Sequence, residues 1–184
     1  MGTLAINIVA FHVFWFACVL GGAWNRGWYA PAALAAIVAV HLLHARDKNR
    51  EFELLVACGA FGTAADTLLM YAGMIAFPAG SWVPWLCPFW MTALWIGFAT
   101  LLNVSLAWLR GRFLLAAFLG FFAGPLSYYA GSRLGALSLS EGAAVSLAVI
   151  AVEWAVAMPI LLLLAARADR GRTASSRFAE AAAS

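Results

Sequence analysis

Charged residues are scarce in this chain. Asp, Glu, Lys and Arg make up 10% of its 184 residues, whereas about 25% is usual for a soluble domain. Hydrophobic residues make up 65%, and they come in long uninterrupted blocks that are typical of membrane spans. The shortage of charge therefore excludes an ordinary soluble domain and predicts an integral membrane protein.

Several functional signatures are also missing. The three cysteines, Cys18, Cys58 and Cys87, form no C-x-x-C pair, so neither a disulfide framework nor a metal site is predicted. Walker A, G-x-S-x-G, H-E-x-x-H and Rossmann motifs are absent, and we expect no cofactor. The net charge of +3 does not indicate a nucleic-acid partner, because the basic residues lie between the apolar blocks and near the C-terminus, where they orient a membrane protein.

Six apolar blocks are present instead. No basic residue precedes the first block, so we expect it to be retained as a helix rather than cleaved as a signal peptide. The predicted fold is all-α: a bundle of six transmembrane helices over residues 1–166, followed by a flexible, polar cytoplasmic tail over 167–184. The blocks cover approximately residues 4–23, 29–45, 52–77, 89–109, 113–131 and 143–166.

The basic residues are distributed unevenly among the loops. With six spans, nine of the eleven Lys and Arg residues fall on the side of the two termini, and only Arg26 and Arg133 fall on the other. The positive-inside rule therefore predicts that both termini face the cytoplasm. The uncharged loop from Trp82 to Pro88 lies on the opposite side, where it is predicted to enter the interface or cover a cavity. The nine residues are Arg46, Lys48, Arg50, Arg110, Arg112, Arg167, Arg170, Arg172 and Arg177.

Two carboxyl groups lie inside predicted spans. Asp66 shares a helical face with small residues such as Gly59 and Gly62, which let another helix approach closely, so Asp66 is predicted to point into the bundle. Glu153 lies in the sixth block. Ionisable residues within a membrane are costly and commonly functional, but each acid can also be a structural hydrogen-bonding group, and the sequence leaves both interpretations open.

Other polar residues are candidates for the same region. His12 lies within the first block, and Asn103 in the fourth is predicted to bond between helices. Pro125 is predicted to interrupt the fifth helix, so that Ser127 beside it lines a cavity and Arg133 faces its outer mouth or the headgroups. His41 and His44, one turn apart, are interpreted as an interfacial pair rather than a metal site.

Three stretches resemble a known family. They are the G-P-L-S-Y…A-G…R-L-G-A run between Gly124 and Ala136, the segment that begins at Asn103, and W-F-A-C-V from Trp15. Together they resemble a family of small bacterial inner-membrane proteins known only as a domain of unknown function, over about residues 7–164. The resemblance implies a multi-pass protein of the bacterial inner membrane and transfers no catalytic residue.

Three functions are consistent with these observations. The first is a lipid-associated protein, either an enzyme or an accessory to a lipid-modifying enzyme, in which Asp66, Glu153, His12, Asn103, Ser127 and Arg133 line an intramembrane pocket. The second is a small transporter that uses Asp66 or Glu153 to couple a proton. The third is a scaffold without a site of its own. Membrane lipids are the expected partners, with other membrane proteins or a hydrophobic small molecule as alternatives.

Overall fold

Six α-helices form most of the chain. The structure, a computed structural model, describes residues 2–78, 83–140 and 142–183, with side chains from residue 4 to residue 167 of those ranges. The predicted all-α fold of six helices is confirmed. The helices are α1 Gly2–Ala23, α2 Tyr29–His44, α3 Lys48–Tyr71, α4 Phe89–Leu102, α5 Phe113–Arg133 and α6 Ala143–Ala183.

The helices differ in length. Those containing the segments Leu4–Ala23, Lys48–Tyr71, Phe113–Arg133 and Ala143–Arg167 are long and apolar enough to cross a membrane. The apolar helices α2 and α4 have 16 and 14 residues, which correspond to about 24 and 21 Å. Both are shorter than a hydrocarbon core of about 30 Å.

Helix α3 begins earlier than predicted. Asp47 caps its N-terminus by accepting a hydrogen bond from the backbone N–H of Arg50 at 3.2 Å, and such a cap stabilises the first turn. Lys48, Arg50 and Glu51 therefore belong to the helix and not to a loop. Helix α3 also ends at Tyr71 rather than near Phe77, and Gly73 then adopts a φ of +69°, which glycine tolerates without strain.

Helix α4 ends earlier than predicted, at Leu102 rather than near Leu109. The chain turns through Asn103, and the N–H of Leu106 bonds to the carbonyl of Leu101 at 2.8 Å. A short 3-10 helix, Ala107–Leu109, follows. The early end frees the Asn103 side chain to bond to other segments, and it opens space at this end of the bundle.

Two features of the connections differ from the sequence-based expectation. Strands β1, Ile75–Ala76, and β2, Ser138–Leu139, pair antiparallel and link the loops after α3 and α5. Strands of two residues are too short to show an alternating pattern, so the sequence did not reveal them. The predicted interruption of the fifth helix is wrong, because Pro125 lies inside the continuous helix α5.

Close packing of α5 on α6 accounts for that continuity. A Cβ atom at Gly124 would lie 2.2 Å from Cγ of Trp154, and one at Gly120 would lie 2.4 Å from the backbone oxygen of Trp154. The two glycines therefore let the helices touch on both sides of the turn before Pro125, which holds α5 together although the proline lacks an N–H donor.

Helix α6 continues past Arg167, where the predicted tail begins, to Ala183. The division of the chain into a membrane domain and a flexible tail stays a prediction, as does the cytoplasmic location of the termini. Of the loop from Trp82 to Pro88, Trp82 lies outside the described residues. The end of that loop is attached to α3, because the N–H of Cys87 donates to Oγ1 of Thr67 at 3.1 Å.

Candidate functional site

Asp66 lies at the centre of the bundle and is fully buried. Its Oδ2 accepts a hydrogen bond of 2.7 Å from Nε1 of Trp95 on α4, and its Oδ1 accepts another from the hydroxyl of Tyr128 on α5. Gly62, one turn earlier on α3, makes room for this arrangement, since a Cβ there would lie 1.9 Å from Cγ of Trp95. The carboxyl group of Asp66 thus joins three helices.

Glu153 on α6 lies in the same region, but it differs from Asp66 in its hydrogen bonding. Both of its carboxyl oxygens are buried, and neither has a hydrogen-bond partner among the described residues. It lies within electrostatic range of Asp66 and Tyr128. No ion pair joins either acid to a cation in the described part of the chain. The two acids therefore form a buried pair without a basic partner.

A cavity of about 350 Å³ lies between α1, α4, α5 and α6; we call it the aromatic cleft. Trp95 and Tyr128, which hold Asp66, form part of its wall, and Trp154 stacks on Trp95 with 4.6 Å between the ring centres. Asp66 is therefore one side chain behind the cleft. Its lining also includes Phe11, His12, Trp15, Phe98 and Ser127.

The aromatic cleft lies between two helices that make little direct contact with each other. Helix α1 packs on α2 and α4, whereas α5 packs on α6. Across the cleft, Nε1 of Trp15 donates a hydrogen bond of 3.0 Å to Oγ of Ser127. Phe16 of α1 and Leu126 of α5 line the cleft and are 49% and 67% exposed. The cleft thus opens sideways between α1 and α5, both of which are long enough to span a membrane.

A second cavity, of about 500 Å³, lies where α2 and α4 end and α1 and α3 begin; we call it the charged cavity. Asn7 and Thr100 are among the residues that line it. The charged and ionisable residues that line it are His41, His44, Arg46, Asp47, Arg50, Glu51 and Arg110.

A chain of hydrogen bonds holds one wall of the charged cavity. Oε2 of Glu51 lies 3.1 Å from Nε2 of His41, and Oε1 accepts a bond of 2.7 Å from Nδ2 of Asn103. Arg110 in turn donates to Oδ1 of Asn103. On the other side, Nε of Arg50 lies 3.2 Å from Oδ2 of Asp47. Sequence reasoning missed Glu51 and Arg110 as site residues, because it assigned both to orienting loops.

The six residues predicted to share one pocket are found in several places. His12 and Ser127 line the aromatic cleft, with Asp66 behind its wall and Glu153 close to Asp66. Asn103 lines the charged cavity instead. Arg133, in the last turn of α5, is exposed and lines neither cavity. His12 is also exposed, and its Nδ1 lies 2.8 Å from the carbonyl oxygen of Ile8.

The described residues contain no group of three or more His, Cys, Asp and Glu that is arranged to hold a metal ion. All three cysteines are buried and free. Burial, together with the nearby Asp66 carboxyl, raises the pKa of the Cys87 thiol to about 11. A thiol in that state is a poor nucleophile.

Residues 4–160 match the family described as "protein of unknown function (DUF2878)", and the chain belongs to this family. The match confirms the resemblance to a family of unknown function. No curated protein and no solved structure matches the chain.

Proposed function

We propose that this membrane protein binds the hydrocarbon chain of a lipid, or of a lipid-like molecule, in the aromatic cleft. The observation that carries the proposal is a cavity of about 350 Å³ that opens between the exposed faces of two membrane-spanning helices. Small-molecule sites are commonly apolar cavities of roughly 300–1,000 Å³. In a bilayer, the molecules that face such an opening are lipids.

The chemistry of the wall favours an apolar occupant. Most polar groups that line the cleft already have partners: Ser127 accepts from Trp15, Tyr128 donates to Asp66, and His12 bonds to Ile8. The exceptions are two indole N–H groups, those of Trp90 and Trp154, which have no partner among the described residues. What the cleft offers a ligand is therefore mostly aromatic and aliphatic surface. A hydrocarbon chain can make many dispersion contacts with that surface, which are individually small and collectively large.

The acid pair gives the site its possible chemistry. Tyr128 lies between the cleft and Asp66, and Glu153 lies within electrostatic range of Asp66. A carboxyl group one hydrogen bond from the cleft wall can exchange a proton with a group bound there, as general acid–base catalysis requires. This arrangement supports a lipid-associated enzyme, or an accessory to a lipid-modifying enzyme, over a scaffold without a site.

Photo-crosslinking can test the binding of a chain. The full-length protein is reconstituted with a phospholipid that carries a diazirine on its acyl chain, and the crosslinked residues are mapped by mass spectrometry. Met91 and Tyr128 line the cleft but are only 4% and 5% exposed, so lipid around the bundle cannot reach them. Crosslinks to these two residues are expected if a chain enters the cleft.

A blocking variant provides the control. Ala130→Trp places a large ring in the cleft that Ala130 lines, and it should abolish the crosslinks at Met91 and Tyr128. Leu114→Trp makes a comparable change on a residue of α5 that faces outward, and it should leave them intact. Exposed Phe118 should be crosslinked in every variant. The proposal fails if Met91 and Tyr128 stay unlabelled, or if labelling there does not respond to Ala130→Trp.

A specific observation supports a second candidate, a small proton-coupled transporter. The two carboxyl oxygens of Glu153 are buried without a hydrogen-bond partner among the described residues, and buried acids of membrane proteins commonly belong to proton pathways. Proton uptake by liposomes that contain the protein distinguishes this candidate. Loss of uptake in both Glu153→Gln and Asp66→Asn would favour transport, whereas absence of uptake in the unmodified protein would exclude it.

A further inference from the structure

The charged cavity points to a second binding site, on the other side of the α1–α4 pair from the aromatic cleft. The cleft is completed by α5 and α6, whereas the charged cavity is completed by α2 and α3. We infer that the charged cavity binds a phosphate group, carried either by a lipid headgroup or by a free phosphate ion. This inference does not rest on the function proposed for the cleft.

The charged cavity has room for a phosphate group. Helix α2 ends at His44 and helix α4 ends at Leu102, and both helices are shorter than a hydrocarbon core. Their early ends leave about 500 Å³ at the end of the bundle where α3 begins. That volume is larger than one phosphate group needs, so it also has room for part of a headgroup.

The two acids that line the charged cavity already have partners in the protein. Glu51 is bonded through both carboxyl oxygens, to His41 and to Asn103. Asp47 accepts from the backbone N–H of Arg50 through Oδ1 and pairs with its Nε through Oδ2. The carboxylates are thus engaged with the protein.

Three arginines line the charged cavity. Arg46, Arg50 and Arg110 outnumber the two acids that line the cavity. Arg50 uses Nε towards Asp47, and its two terminal nitrogens have no hydrogen bond to any described residue; nor has the exposed Arg46 side chain. The planar fork of an arginine matches two oxygens of a phosphate group, and such charge-assisted bonds are stronger than neutral ones. Arg46 and Arg50 are therefore the expected phosphate ligands.

We expect Glu51 to position the site without touching the phosphate. A glutamine at this position keeps an oxygen for Asn103 and gains an amide that can donate to His41. The substitution Glu51→Gln therefore preserves the wall while it removes one negative charge. It should strengthen phosphate binding severalfold, whereas the loss of the arginines should weaken it.

The experiment measures binding to the full chain in detergent micelles by isothermal titration calorimetry. The probes are inorganic phosphate, lyso-phosphatidic acid, and a monoacylglycerol with the same acyl chain and no phosphate. The variant Arg46→Gln/Arg50→Gln should lose about tenfold or more in affinity for the phosphate probes, which is the effect of losing a charge-assisted hydrogen bond. An unchanged circular dichroism spectrum and elution volume establish that the variant is folded.

Lys48→Gln is the matched control. It removes one positive charge, as each of the two arginine substitutions does, from the first residue of α3, but Lys48 does not line the cavity, so its effect should be about twofold at most, as for an exposed charge. Ala130→Trp should leave phosphate binding unchanged, because it alters only the aromatic cleft. A failure of chain binding in the cleft is therefore distinguishable from a failure of this site.

The pattern of binding identifies the source of the phosphate. Binding of both phosphate probes supports a site for the group itself, binding of lyso-phosphatidic acid alone supports a lipid headgroup, and binding of inorganic phosphate alone supports the free ion. The inference is overturned if neither phosphate probe binds, if the monoacylglycerol binds as tightly as lyso-phosphatidic acid, or if Lys48→Gln weakens binding as much as the double arginine variant.

Discussion

The aromatic cleft and the charged cavity share two helices, α1 and α4, but they differ in chemistry. Both are lined by α1, the cleft by residues between Phe11 and Val19 and the charged cavity by Ile6, Asn7 and Ala10 nearer the start of the helix, but the charged side chains line only the charged cavity. Apolar walls suit a hydrocarbon ligand at depth, and arginines suit an anion at the level of the headgroups.

The carboxyl groups beside the two regions differ in their hydrogen-bond partners. Glu51 is bonded by His41 and Asn103 beside the charged cavity, and Asp66 is bonded by Trp95 and Tyr128 behind the cleft. Glu153 alone has both oxygens buried without a partner in the described part of the chain. An unsatisfied buried carboxyl group destabilises a fold, so Glu153 is the acid for which a functional role explains most.

The largest expected effect concerns the side of the membrane on which each region lies. The basic residues predict that the charged cavity faces the cytoplasm and that the β1–β2 loops face outward. A reporter that is active only outside the cytoplasm should be active when inserted at Gly135, between α5 and β2, and inactive when fused to the C-terminus. Equal signals from the two fusions would contradict the predicted orientation of the bundle.

The next largest effect is expected on the stability of the fold, from a substitution that disrupts the wall of the aromatic cleft. In Gly62→Leu, the new side chain would occupy the position of the Trp95 ring, since even a Cβ would lie 1.9 Å from Cγ. Overpacking of a core commonly costs about 1–3 kcal/mol, and we expect more here because Trp95 also bonds to Asp66. Thermal unfolding in micelles measures the loss.

Gly131→Ala is the control for this substitution. Its Cβ would make an ordinary contact of 3.5 Å with Cδ2 of Leu137, so its melting temperature should stay near that of the unmodified protein. Equal stability of Gly62→Leu and Gly131→Ala would show that Trp95 does not pack against α3 as described.

The contrast between the two regions also explains what the sequence could reveal. Apolar blocks and a glycine stripe were enough to predict six helices and to direct Asp66 inward, because both signals are local to one helix. The partners of Asp66, Trp95 and Tyr128, come from two other helices. Pairing between helices leaves no pattern in a single sequence, so these partners were not predicted.

The charged cavity was missed for a related reason. Asp47 was read as part of a loop, although Asp is a favoured N-cap residue and could have indicated that α3 begins at Lys48. Glu51 would then have fallen in the first turn of α3, opposite the last turn of α2, which carries His41. Helix α4 ends at Leu102, beside the tertiary bonds of Asn103, and no local signal predicted that end.

A smaller effect is expected from removal of the Asp66 carboxyl group. In Asp66→Ala, the indole N–H of Trp95 and the hydroxyl of Tyr128 both lose their acceptor, and an unsatisfied buried polar group costs about 1–3 kcal/mol. Asp66→Asn keeps one carbonyl oxygen and should cost less. Unfolding in mixed micelles measures both, with the exposed Leu68→Ala as a near-neutral control.

The two Asp66 variants also separate structure from function. If the acid handles protons, Asp66→Asn should fold and yet lose proton uptake or lipid modification. If the acid only joins helices, Asp66→Asn should be nearly silent in both assays. A loss of stability in Asp66→Asn as large as in Asp66→Ala would contradict the hydrogen bonds described here.

The smallest expected effect concerns the bond across the mouth of the cleft. Ser127→Ala removes the oxygen that accepts from Nε1 of Trp15 at 3.0 Å, and a hydrogen bond of this kind contributes about 0.5–1.5 kcal/mol. Because α1 and α5 make little other contact, the change should loosen the mouth and speed the exchange of a labelled lipid chain into the cleft. Trp15→Phe removes the donor of the same bond and should have a similar effect. The double variant should add little to either single one, since both remove one interaction.

Ser132→Ala is the matched control, because its hydroxyl bonds to the carbonyl of Tyr129 within α5 and does not line the cleft. Time-resolved crosslinking at Met91 measures the exchange; fully additive effects of the two substitutions, or an equal effect of Ser132→Ala, would show that this bond does not hold the mouth closed.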